Sequence, residues 1–373
     1  MNHLINYLRW RGDLGFEQSE LNEVDRFALA YASYAELKHY MGDSFPEEEI
    51  PLVQVAQKYR RKKRRYVLEH PEWKESNTFV TADRVFAEMA RTHRFFDVWV
   101  SDYEQVIRPE ETEQFAAVCL RLSDHLRYIS FSGTDETIIG WLEDFHMSYK
   151  EPVPAQRDSG EYLFRLLKKY PNDYFYLGGH SKGGNLAIYA AATAAEEGLD
   201  GRIVEIDAFD SPGFLHPFLS SEGFLKIRNR IKAYLPEGSL VGLLLFRDWE
   251  LNVIRNRRKT IPHQHICEGW ETLGTSFVRA DSIREKNISM SIAIQEAVTR
   301  MTPEQLKNMF DRIAVIFEEA EVRTVTDFAS KSGKLMSIAA HEYHQYDNEE
   351  RSRIGKVLLA MIRIYNESQA ELF

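Results

Sequence analysis

Five residues in a row carry the clearest chemistry in this chain: Gly179-His180-Ser181-Lys182-Gly183, within the stretch Asp173 to Ala192. An aromatic, apolar run (Tyr174, Phe175, Tyr176, Leu177) stops at two glycines, and a small-residue helical run follows from Asn185 to Ala195. Strand, tight turn and helix with serine at the turn is the context of a G-x-S-x-G nucleophile elbow. Glycines let strand and helix pass closely and relieve crowding at a strained turn residue. The serine hydroxyl then stands at a helix N-terminus, where backbone N–H groups stabilise negative charge. The plain alternative is a structural strand-to-helix turn.

A nucleophilic serine needs a base, an orienting acid and oxyanion donors. Phe131-Ser132-Gly133-Thr134-Asp135 closes a strand upstream. The N–H of Thr134, with that of Lys182, is the candidate oxyanion pair, and the plain alternative is an ordinary glycine turn. The acid candidate is Asp210 in Ala208-Phe209-Asp210-Ser211-Pro212-Gly213, with Asp207, Asp248 and Glu237 as competitors. Aspartate before Pro-Gly is also good turn chemistry. The base candidate is His265, and Ser-Asp-His is the chain order of α/β-hydrolases. His263 lies two residues earlier and residue physics does not separate the two; His146, His180 and His216 are less well placed. His180 is expected to pack beneath the elbow. Lys182 needs only its backbone N–H, so its charge is expected either to attract an anion or to face solvent.

The elements that must position these residues read as a helical front, an α/β middle and a helical tail. Residues 1–40 carry helical apolar stripes, Phe45-Pro46-Glu47-Glu48 marks a loop and helix start, and 81–91 is an amphipathic helix. Residues 96–106, 114–121 and 128–132 read as a strand meander. Helices are expected over 137–144 and 159–170, and strands over 202–209 and 230–235. Short strands or a hairpin are expected over 243–246 and 251–254. Strand, helix, strand around the elbow implies parallel pairing. From 281 the chain turns helical, over 287–300, 303–320 and 351–365, with Thr302-Pro303 as a helix start. The expected regions are a helical 1–94, an α/β-hydrolase core over 95–280 and a helical 281–373. The basic run Lys58–Arg65 reads either as a phosphate or anionic-membrane contact or, preferred on sequence alone, as a solvated helix face.

The composition frames these readings. In 373 residues, 44% apolar and 28% charged content is that of a globular protein with a sizeable core. A net charge of -10 argues against nucleic acid as the main partner. Cys119 and Cys267 have no metal-ligand spacing and imply no disulfide framework. No secretory leader or membrane-length apolar run is read, so a cytoplasmic protein without integral membrane association is expected, with no cofactor and no metal.

Taken together, Phe131-Ser132-Gly133-Thr134, then Gly140-Trp141-Leu142-Glu143-Asp144-Phe145, then GHSKGG resemble class 3 (fungal-type) lipases. The chain is more similar still to a bacterial family of the Mbeg1-like type. That resemblance runs through Trp10-Arg11-Gly12-Asp13, Asn22-Glu23-Val24-Asp25, Val153-Pro154-Ala155-Gln156, FDSPGF, LPEGSLVG and Gln264-His265 with Trp270. It implies an α/β-hydrolase fold, a mostly parallel sheet flanked by helices, and a serine hydrolase acting on a small-molecule or lipid-like carboxylic ester. Ser181 is implied as nucleophile, Thr134 as oxyanion residue and His265 as base. Two departures stand out. Ser132 replaces the arginine of class 3 lipases, and Ser239-Leu240-Val241-Gly242 stands where those enzymes carry the acid, which turns the expectation to Asp210. No apolar lid is read over the polar segment 149–158, so the front and tail helices are expected to cover the site. A non-catalytic interaction module on the same fold, or an acyltransferase or thioesterase using the same residues, are the alternatives.

Overall fold

The computed structural model describes residues 3–35, 37, 48–70, 77–135, 137–323, 327 and 331–342. The expected turn at Phe45-Pro46-Glu47 and helix over 351–365 lie outside the described residues.

Eight strands form one mixed sheet in sequential order: β1 (Ile50–Pro51), β2 (Trp99–Arg108), β3 (Glu113–Ser123), β4 (Leu126–Phe131), β5 (Tyr174–His180), β6 (Ile203–Phe209), β7 (Ile231–Pro236) and β8 (Leu251–Ile254). Pairs up to β3–β4 are antiparallel; from β4–β5 onward every pair is parallel. The antiparallel half follows from short connections, including the turn between β3 and β4. The parallel half needs long crossovers. Sequential order with one crossover hand places those crossovers on the same face, and one apolar cluster there unites Leu163 and Leu166 with Leu186, Ile188, Phe224 and the sheet residues Leu177, Ile206 and Ala208.

That arrangement would leave the other face bare. The N-terminal helices cover it: α1 (Leu4–Arg11), α2 (Glu23–Tyr31), α3 (Leu52–Glu69) and α4 (Asn77–Met89). Phe27, Tyr31, Tyr59 and Phe86 share a second apolar cluster with Val118, Leu120, Tyr128, Phe209 and Tyr234 of the sheet. Strand alternation divides β6 between the clusters, with Ile206 and Ala208 on one side and Phe209 on the other. A buried polar network fixes α2. Asn22 and Asp25 form its capping box, and Asp25 also accepts from Tyr7 Oη (2.7 Å) and Arg94 Nε (2.6 Å).

Around the elbow lie α5 (Ile138–His146), α6 (Pro154–Lys169), α7 (Lys182–Glu196) and the short α8 (Ile261–His265). Downstream come α9 (Glu285–Thr299), α10 (Pro303–Glu319) and α11 (Ser332–Glu342). Helix α10 buries Leu306, Phe310, Ile313 and Phe317 in a third cluster with Ile138 of α5, and Phe310 stacks on Phe145 at 4.8 Å.

Two differences from expectation have a clear local cause. Helix α6 begins at Pro154 rather than Ser159, because proline takes the first helical position and Gln156 Oε1 accepts from the Val153 N–H at 2.9 Å. Residues 243–246 form no named strand: 241–243 make a tight helical turn, and Phe246 instead bridges to Phe214. Among the described residues no helix is long and apolar enough to cross a membrane.

Candidate active site

Ser181 sits between β5 and α7 with φ 59° and ψ -134°, a conformation few L-residues adopt. The surroundings make glycine obligatory on either side. A Cβ on Gly183 would collide with the Phe131 carbonyl, and one on Gly179 with the backbone of Gly183. The register holds the elbow centrally, with Phe131↔Gly179 on one side and His180↔Phe209 on the other. Lys182 opens α7, so its N–H is among the first four that a helix leaves without an internal partner.

Asp210 follows β6 at φ 47°. Its Oδ2 lies 2.6 Å from His265 Nδ1. Its Oδ1 accepts from Ser239 Oγ and, at 3.1 Å, from the Gly242 N–H. Segment 239–242, which departs from the class 3 pattern, therefore cradles a carboxylate supplied by another strand. Asp210 is buried while the His265 side chain is 21% exposed, so the ring remains reachable from outside. With Nδ1 engaged, Nε2 is its other nitrogen. The competing carboxylates are engaged elsewhere. Asp207 faces α2 and pairs with Arg26 Nε at 2.8 Å, Glu237 pairs with Arg284 at 2.8 Å, and Asp248 with Arg228 at 3.0 Å. Burial pushes Asp207 up to about 7, with Arg26 pulling the other way. His263 is also occupied, with Nδ1 at 2.9 Å from Thr260 Oγ1.

His180 links this pair to the elbow. Its ring centroid lies 4.3 Å from that of His265, and its Nε2 is 2.8 Å from the His265 carbonyl oxygen. A carbonyl only accepts, so Nε2 carries the proton and Nδ1 accepts from the Tyr34 hydroxyl at 2.9 Å. Burial holds the His180 imidazole well below the usual histidine range, hence neutral. Its packing beneath the elbow is as expected, but Tyr34 was not legible: it comes from the front of the chain, 146 positions away. Gly133 lies against the same hydroxyl, and a Cβ there would stand 2.7 Å from the His180 carbonyl oxygen.

The side chain of Lys182 neither faces solvent nor awaits an anion, which corrects the sequence reading. It is buried, with Nζ 2.8 Å from Glu143 Oε2, 2.8 Å from the Gln114 carbonyl and 2.9 Å from Gln114 Oε1. Burial acts to lower this ammonium, but Glu143 and Asp144 outweigh it and hold it above the ordinary lysine range. Glu143 further accepts from the Gln114 N–H at 3.1 Å and the Ala155 N–H at 2.9 Å. The elbow, β3, α5 and α6 thus meet at one ion pair. Beside it Thr134 Oγ1 donates to Asp144 Oδ2 at 2.6 Å. Burial pushes Asp144 up to about 6, and its Oδ1 is buried without a hydrogen-bond partner. Gln264, next to His265, fixes the base's loop by accepting from the Gly238 N–H at 3.0 Å, while its carbonyl accepts from Trp270 Nε1 at 3.0 Å. Among the described residues no cluster of His, Cys, Asp or Glu is arranged to hold a metal ion.

The chain is similar to solved fungal lipases at low identity. With the Rhizomucor miehei lipase propeptide complex it shares 15% identity over 63% of this chain and 69% of that one, TM-score 0.36. With a mutant form of MDLA from Penicillium cyclopium it shares 12% over 72% and 90%, TM-score 0.37. With the lipase of Rhizopus microsporus var. chinensis it shares 10% over 72% and 84%, TM-score 0.33. At such values the likeness adds nothing to what the sheet topology establishes. No curated protein sequence matches the chain. The Mbeg1-like family profile, in contrast, matches residues 89–315, a span running from the end of α4 through the elbow, Asp210 and His265 into α10, and the chain belongs to the Mbeg1-like family.

Proposed function

We propose that the protein is a serine hydrolase that cleaves carboxylic esters through an acyl-enzyme on Ser181. The observation that carries this reading is the 2.6 Å contact between Asp210 and His265 Nδ1, made beside a histidine that immediately precedes a serine at positive φ. In the proposed reaction His265 Nε2 takes the Ser181 proton as Oγ attacks the ester carbonyl. Asp210 orients the ring and stabilises the imidazolium. The N–H groups of Thr134 and Lys182 receive the oxyanion. His265 then returns the proton to the leaving alcohol, and water activated by the same base releases the acid. Neutral His180 suits a place beside the base, since a second cation there would oppose formation of the imidazolium. We extend the proposal to a cytoplasmic setting, which two buried, unpaired cysteines suit.

The test is hydrolysis of short p-nitrophenyl esters by folded wild type, Ser181→Ala and Asp210→Asn. The expected outcome is a wild-type rate well above background, loss of all measurable turnover in Ser181→Ala, and a loss of roughly 10³–10⁴-fold in Asp210→Asn. A Ser181→Ala rate equal to wild type contradicts the reading.

A further inference from the structure

The basic run has no part in the chemistry above. Seven of the eight residues from Lys58 to Arg65 are cationic, in a chain whose net charge is -10. They lie on α3, an 18-residue helix whose two halves differ. The first half is anchored through buried Leu52, Val55, Ala56 and Tyr59. Beyond Tyr59 no residue of α3 is buried, and Arg60, Arg61, Arg64 and Arg65 are exposed. The helix then ends in exposed aliphatics, Val67 at 41% and Leu68 at 74%. Helical spacing places Leu68 four residues from Arg64, seven from Arg61 and eight from Arg60, on one stripe.

A solvated face of a stable helix carries mixed signs. Here the neighbouring acids are spent on other cations: Asp83 on Lys63, Glu69 on Arg65, and Glu268 on Arg84 at 3.5 Å. Arg60, Arg61 and Arg64 have no carboxylate partner among the described residues. Together with Arg84 and the paired Lys63 and Asp83 they line a groove of about 630 Å³ between α3 and α4, in which the arginines outnumber the one carboxylate. Guanidinium groups grip phosphate oxygens in a bidentate manner, and uncompensated ones in a row mark an anion-binding surface.

We propose that the second half of α3 docks the protein on an anionic lipid surface. Arg60, Arg61 and Arg64 meet headgroup phosphates, and Val67 and Leu68 enter the boundary between headgroups and acyl chains. The tip decides between lipid and nucleic acid. Among the described residues its exposed apolar side chains are the branched aliphatics Val67 and Leu68, which gain by leaving water, while the aromatic Tyr66 is half-buried and stacked on His70 rather than open to a base. The acidic remainder of the molecule is repelled by the same surface, which orients the arm toward it. The Arg84–Glu268 pair joins this face to the turn three residues beyond His265, so docking brings lipid beside the segment that carries the proposed base.

Co-sedimentation with vesicles tests this independently of catalysis. Full-length protein is expected to bind mixed phosphatidylglycerol–phosphatidylcholine vesicles in a salt-sensitive manner and to ignore phosphatidylcholine alone. The combined Arg60→Gln, Arg61→Gln, Arg64→Gln variant is expected to bind about 100-fold more weakly, from three surface cations removed. Leu68→Ser is expected to bind about tenfold more weakly, from one lost apolar insertion. Both variants change exposed positions and keep the wild-type circular dichroism spectrum, and Ser181→Ala protein sediments as wild type does. Failure of wild type to bind anionic vesicles, equal binding by the triple variant, or capture by single-stranded DNA that such vesicles do not displace would each overturn the proposal.

Discussion

Lys182 and Arg61 are both cations on helices, and their surroundings are opposite. Lys182 is buried at the first turn of α7, with three oxygen acceptors within 2.9 Å and a carboxylate among them. Arg61 stands exposed on α3 and, like Arg60 and Arg64, has no carboxylate partner among the described residues. A buried charge is tolerated only when paired and fully hydrogen-bonded. The elbow cation therefore belongs to the architecture and is closed to any ligand. Exposed arginines without counter-charge contribute little to folding, so their presence is explained by what they meet outside. Positive charge in a sequence takes its meaning from where its counter-charge lies.

The largest effect that sharpens this contrast is on stability. Lys182→Met is expected to cost about 3–5 kcal/mol, because Glu143 is left buried and unpaired. Adding Glu143→Gln should recover part of that loss, since a neutral amide oxygen still accepts one backbone N–H. Urea unfolding of the single and double variants measures both; a single variant as stable as wild type would break the comparison. A smaller effect lies in pH. Asp144 is raised to about 6 in the folded chain, above its unfolded value, so the folded state holds a proton that the unfolded state has released. Stability is therefore expected to fall as pH climbs from about 4 to 6, and Asp144→Asn to flatten part of that slope in melting temperatures taken across the range. The smallest effect is expected from the triple arginine variant on α3, whose unfolding free energy should stay within about 0.5 kcal/mol of wild type. A large loss there would mean that the arm serves folding after all.

The elbow was legible because its signal is local. A strand pattern, glycines at fixed offsets and an alanine-rich helix all fall within a short stretch, and the steric reason for each glycine is met by adjacent backbone. Asp210 and His265 were legible as candidates through chain order and turn chemistry, and the family resemblance turned the choice to Asp210; what the sequence did not show is the pleat that turns Asp207 toward Arg26 of α2. The fate of Lys182 depends on Glu143, 39 positions earlier, and on a helix whose placement no period in the sequence encodes. Tyr34 escaped notice, and Ser239 stood out only as a serine at the acid's place in class 3 lipases, not as a donor to Asp210: tyrosine in an apolar helix and serine in a Pro-Glu-Gly-Ser turn are ordinary until the sheet brings His180 and Asp210 to them. The layer formed by α1–α4 was expected as an N-terminal helical region. Its necessity emerges only from the sequential strand order, which puts the crossover helices on the opposite face.

The central claim is that Ser181 is a nucleophile held ready by His265 and Asp210. Its most direct measurement is labelling of the folded protein with a fluorophosphonate, followed by peptide mass spectrometry. The account predicts one adduct, on Ser181, not formed when the protein is denatured before labelling and strongly slowed in His265→Ala. A folded wild-type protein that stays unlabelled, or that is labelled equally fast without His265, would contradict it.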